Sequence, residues 1–127
     1  MRQTETDDKI QEKQAILIVD DSEMNRAILT DMLQEDYRTL EAENGVQAVE
    51  LIRKYSDAID LVLLDITMPE MDGFEVLAIM NKYHLIDNIP VIMISAERAS
   101  SYMERAYELG VTDYISRPFD ALIVRRR

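Results

Sequence analysis

Three aspartates stand where the chain leaves an apolar run for a polar one. Asp20 and Asp21 follow Ala15-Ile16-Leu17-Ile18-Val19, and Asp65 follows Leu61-Val62-Leu63-Leu64. If both runs are strands of one parallel sheet, their C-terminal ends lie at the same edge and the three acids meet in one crevice. Carboxylates gathered that closely repel one another unless a hard cation neutralises them. An all-oxygen donor set of this kind suits Mg²⁺. The expected chemistry is therefore that of a metal-assisted carboxylate.

The rest of the chain supplies elements able to build such an edge. Residues 1–14 are polar, mixed in charge and aperiodic, which predicts a flexible leader. Ala15–Val19 reads as a short strand apolar on both faces. A helix follows from about Glu23, with Ser22 as N-cap and Ile28, Leu29, Met32 and Leu33 as its apolar stripe. Tyr37–Ala42 predicts a second, more polar strand. Asn44 caps the next helix, where Ala48, Leu51, Ile52 and Tyr55 fall at i, i+3, i+4 and i+7. Asp60–Asp65 is the third strand. The loop Ile66–Asp72 leads into a helix starting near Gly73 or Phe74, with Leu77 and Ala78 facing inward. Pro90–Ser95 is a fourth strand, opened by a proline where a strand tolerates one. A helix from about Ala99 to Leu109 stops at Gly110, Thr112–Ser116 forms a fifth strand, and a last helix begins at Phe119.

Five strands alternating with helices predict an α/β fold with a parallel sheet covered on both faces. Strands one, three and four are continuously apolar, as central strands should be. Strands two and five carry Arg38, Thr39, Thr112 and Asp113, as edges should. That distribution matches the flavodoxin-like, doubly wound order 2-1-3-4-5, whose switch point lies between strands one and three. The acid cluster falls at that point.

Composition narrows the classes of function. The 127 residues suit one domain, and 47% hydrophobic content is ordinary for a globular chain. Lys plus Arg number 14 against 25 Asp plus Glu, a formal charge of −11, which argues against direct nucleic-acid binding. There is no cysteine, so neither a disulfide framework nor a thiolate metal site is available. No apolar run approaches membrane-spanning length and the N-terminus lacks a signal-peptide core, so a cytoplasmic location is expected. Residues 120–127 allow only about two helical turns, short for covering a sheet face, which suggests a fragment of a longer protein. Arg125, Arg126 and Arg127 are read as a solvated helix end rather than a nucleic-acid or membrane contact.

Four segments together resemble the receiver domain of bacterial two-component response regulators. They are Val19-Asp20-Asp21-Ser22, Leu64-Asp65 through Met68-Pro69-Glu70-Met71-Asp72-Gly73, Ile94-Ser95-Ala96-Glu97 and Arg117-Pro118-Phe119. They span roughly residues 15–120, which sets the expected receiver domain at 15–127. The resemblance implies that Asp65 accepts a phosphoryl group from a phosphohistidine on a sensor histidine kinase or phosphotransfer protein. It further implies that Asp20, Asp21, Asp65 and the backbone carbonyl of Thr67 hold Mg²⁺. Phosphoryl oxygens also need a hydroxyl and a cation as partners, and these positions are Ser95 and Arg117. Ala96 is small and leaves room for the group. Arg117 departs from the family's lysine; a planar guanidinium still pairs with phosphate, but an altered rate, lifetime or readout is expected. The Arg117–Pro118 bond is one the family commonly holds cis.

Switching in the family couples the hydroxyl residue to an aromatic on strand five, here Ser95 and Tyr114. The face of the fourth helix, fifth strand and last helix would then control an effector domain beyond the C-terminus, or a homodimer. A plain edge-strand role for Tyr114 stands equally open. Asp72 is better read as a helix cap than a ligand, His84 as solvated, and the eight methionines as mostly filler. The runner-up function is a receiver that dimerises or docks without phosphorylation. An aspartate-nucleophile phosphatase fits less well, because Thr67 stands where a second carboxylate is needed. A nucleotide-binding flavodoxin-like protein lacks its Gly-rich loop.

Overall fold

The computed structural model describes residues 13–68, 70–95 and 100–116. In chain order the elements are β1 (Ala15–Val19), α1 (Glu23–Leu33), β2 (Arg38–Ala42), α2 (Gly45–Lys54), β3 (Leu61–Asp65), α3 (Gly73–Lys82), β4 (Val91–Ser95), α4 (Ser100–Glu108) and β5 (Asp113–Ser116). The five strands form one parallel sheet in the order β2-β1-β3-β4-β5. The fold class and strand order are those the apolar and polar strand patterns predict. Residues 1–12 of the leader, Ala96, Arg117, Pro118 and the helix expected from Phe119 lie outside the described residues.

Burial explains the order. Every residue of β1 and β4 is buried, as is β3 after Leu61, whereas β2 buries only Ala42. Side chains alternate across the sheet and feed two clusters. Leu17, Val19, Val62, Leu64, Val91 and Met93 point to the larger one, which also takes in Ala48 and Ile52 of α2 and Phe74, Leu77 and Met80 of α3. Ile16, Ile18, Leu63, Ile92 and Ile94 point the other way, onto Leu29 and Leu33 of α1.

Helix starts follow the expected side chains. The Ser22 hydroxyl accepts from the Asn25 amide, and the Asn44 side chain accepts from the Gln47 amide. Asp72 and Glu75 form a reciprocal capping box at α3. Gly110, at φ +98°, ends α4 in a Schellman arrangement: its amide donates to the Tyr107 carbonyl and that of Val111 to Ala106.

Three stripe residues differ from expectation. Ile28 is 46% exposed, Ala78 is exposed, and Tyr55 is 38% exposed at the end of α2. Each helix buries an arc centred elsewhere. Leu29, Met32 and Leu33 set the inward direction of α1, and Ile28 sits one step, about 100°, round from Leu29. In α3 the inward residues are Gly73, Phe74, Val76, Leu77 and Met80, which leaves Ala78 past the edge of the arc. The second, third, fourth and fifth strands also begin one residue later than the patterns suggest, although the Pro90 carbonyl still accepts from Val62.

Candidate functional site

The site grows from the C-terminal ends of β1 and β3, adjacent strands whose register aligns Val19 with Leu64. Asp20 and Asp65 therefore emerge side by side, and Asp21 is next in line. Carboxylate oxygens of Asp20, Asp21 and Asp65 all lie within 4.8 Å of one another. Asp20 and Asp65 are 1% and 6% exposed, while Asp21 faces solvent. Two buried acids with an exposed third make a half-open cup of hard oxygen donors. That is the donor chemistry Mg²⁺ favours, and the residues present fit it.

Among the described residues, three hydrogen bonds tie down Asp20 and its backbone. Its amide donates to the Ala42 carbonyl at 3.1 Å, which continues the β1–β2 pairing past the strand end. One carboxylate oxygen accepts from the Ser22 amide at 2.8 Å. Its carbonyl oxygen accepts from Arg26 Nη1 at 2.7 Å. Helical side chains lean back toward the N-terminus, which brings Arg26 of α1 within reach. The same guanidinium meets Glu41 of β2, Nε to Oε1, at 3.0 Å. Nothing in composition or periodicity singles out Arg26; the available signal is a cation one turn past the Ser22 cap.

Below Asp65 the loop to α3 is tightly drawn. The Gly73 amide donates to the Ile66 carbonyl at 2.8 Å, and a methyl on Gly73 would collide with the Asp65 carbonyl oxygen. Only glycine lets the helix approach the acceptor strand this closely. Glu70 takes φ +68°, a left-handed turn at a non-glycine residue. Thr67 is exposed, and Asp72 is engaged as a cap, as expected.

Ser95 is 2% exposed at the end of β4, one residue beyond Ile94, the register partner of Asp65. Tyr114 pairs with Met93 across β4 and β5 and is 7% exposed within the larger cluster. The last predicted contributor, Arg117, lies outside the described residues. His84 is highly exposed, as expected, and adopts φ +60°. Among the described residues no helix is long and apolar enough to cross a membrane.

A family model described as the response regulator receiver domain matches residues 16–125. The chain belongs to that family. It is 39% identical over 106 residues to sporulation initiation phosphotransferase F of Bacillus subtilis, covering 83% of this chain and 82% of that protein. It is 38% identical over 112 residues to a probable cyclic di-GMP phosphodiesterase of Vibrio cholerae, covering 88% of this chain and 25% of that protein. Two histidine kinases among its relatives are longer still, and the chain spans 13% and 8% of them. Among solved structures it resembles the CheX–CheY–BeF3–Mg²⁺ complex of Borrelia burgdorferi, with a TM-score of 0.81 and 34% identity over 89% of this chain and 84% of that one.

Proposed function

We propose that this domain is a phosphoacceptor that relays a signal from a sensor histidine kinase or phosphotransfer protein. An oxygen of the Asp65 carboxylate bonds to the phosphorus of a phosphohistidine. The phosphorus–nitrogen bond breaks, and its electron pair stays with the imidazole. The product is an acyl phosphate on Asp65. Bound Mg²⁺, held by Asp20, Asp21, Asp65 and the Thr67 carbonyl, would supply the positive charge that lets an anionic carboxylate approach an anionic phosphoryl group. Ser95 donates its hydroxyl to one phosphoryl oxygen and Arg117 pairs with another. Tyr114 follows Ser95, and the face around α4 and β5 reports the change to an effector domain or a second copy. Residues 15–127 form the receiver and 1–14 its leader, acting in the cytoplasm.

The observation that carries this reading is the convergence of three carboxylates within 4.8 Å at the switch point of the sheet. The Borrelia burgdorferi neighbour, described as a beryllofluoride and Mg²⁺ complex, adds support. So does the Bacillus subtilis relative, a phosphotransferase by name. The test is intact-mass analysis after incubation with acetyl phosphate, with Mg²⁺ or with EDTA. One phosphoryl adduct is expected, dependent on Mg²⁺ and lost in Asp65→Asn. An unmodified wild-type mass would overturn the proposal.

A further inference from the structure

Arg26 closes a ring of contacts around the acidic turn. The Asp20 amide donates to the Ala42 carbonyl, and Ala42 is bonded in the chain to Glu41. Glu41 accepts from Arg26 Nε at 3.0 Å, and Arg26 Nη1 donates back to the Asp20 carbonyl at 2.7 Å. The ring thus joins β1, β2 and α1. The Arg26 side chain is 11% exposed and its bond to the Asp20 carbonyl is partly buried, whereas Glu41 is half open at 45% and its bond to Arg26 is exposed. Thr30 adds a long 3.5 Å contact to the other Glu41 oxygen.

The carbonyl that Arg26 grips belongs to the peptide joining Asp20 to Asp21. A peptide unit is planar, so fixing its oxygen fixes the direction in which the Asp21 Cα leaves. Asp20 has its own anchors in Ala42 and Ser22; Asp21 is exposed. We infer that Arg26 is a positioning residue for the metal site: it sets the Asp20–Asp21 peptide plane, and through it the place of the Asp21 carboxylate. This rests on the metal-holding role proposed above for the two aspartates.

Two consequences of removing Arg26 oppose each other, which makes the inference testable by sign. Arg26 is a cation beside an acidic cluster, so deleting its charge alone would tighten Mg²⁺ binding. Releasing the peptide plane would loosen it, and loss of a group that orients a metal ligand typically weakens binding about 10–100-fold. The second effect wins if Arg26 positions Asp21.

The experiment is Mg²⁺ titration by isothermal calorimetry on wild type, Arg26→Met and Arg26→Lys, with urea unfolding of each in EDTA. For Arg26→Met the Mg²⁺ dissociation constant is expected to rise about tenfold. Arg26→Lys keeps the charge but not the planar fork, and is expected to fall between the two. It also serves as the reporter should Arg26→Met fail to fold. Equal or tighter binding by a folded variant would overturn the inference. A wild type that does not bind Mg²⁺ would instead overturn the functional reading on which the inference rests.

Discussion

Replacing Asp20 with asparagine should make the metal-free protein more stable, although the residue is buried at the heart of the site. Its carboxylate lies no more than 4.8 Å from that of Asp65, which at an effective dielectric of about 20 is a repulsion of about 3.5 kcal/mol. Asparagine removes that repulsion and keeps an oxygen for the Ser22 amide, now 2.8 Å from the carboxylate. A neutral acceptor is weaker than a charged one by about 1 kcal/mol. Between these two contributions relief exceeds loss by about 2.5 kcal/mol, on the order of 10 °C in Tm. Mg²⁺ should erase the difference. At about 100 times its Kd the ion stabilises wild type by about 2.7 kcal/mol, whereas an amide oxygen without charge holds it poorly. The assay is thermal unfolding followed by far-ultraviolet circular dichroism, in EDTA and in Mg²⁺. An Asp20→Asn protein no more stable than wild type in EDTA would refute the claim that these two carboxylates confront each other.

Other substitutions probe what surrounds the acids. His84→Asn should stabilise by about 0.5–1 kcal/mol in urea unfolding, since asparagine tolerates the left-handed conformation at φ +60°; the exposed 3.8 Å ion pair with Asp87 that it sacrifices contributes little. Gly73→Ala should cost about 1–3 kcal/mol in the same assay and slow acetyl phosphate labelling, because the added methyl pushes against the Asp65 carbonyl. Asp72→Ala should cost about 1 kcal/mol through the lost cap of α3, with the Mg²⁺ dissociation constant unchanged by calorimetry. A weakened Mg²⁺ affinity in Asp72→Ala would make that acid part of the metal site.

How far the sequence reaches depends on the range of the interaction that decides each feature. Strand order was legible because burial on both faces imposes an unbroken apolar run, as in Ile16 to Val19, while an edge tolerates Arg38 and Glu41. Caps were legible because Ser22, Asn44 and Asp72 act on amides three residues away. The limits of each helical stripe were not. Ile28 and Ala78 are apolar and correctly spaced, but their exposure depends on where the sheet lies, which the helix alone does not encode. Glu70 conceals its left-handed turn because its side chain, unlike the absent one of Gly110, advertises no such conformation.

The acid cluster belongs to both categories. Its members could be named from strand ends, since Asp20 and Asp65 each close an apolar run and a parallel sheet must bring adjacent ends together. What holds them in place could not. Arg26 meets the Asp20 carbonyl from α1, and the same guanidinium pairs with Glu41, fifteen residues further on, which is there because β2 lies beside β1. An edge strand whose pattern marks it as polar filler thus supplies an anchor for the acidic turn after β1. Reading β2 for burial alone accounts for Ala42 and Leu40 but assigns Glu41 to solvent. The sheet order that a hydrophobic pattern predicts is also what turns that surface acid into a partner for a nearly buried cation.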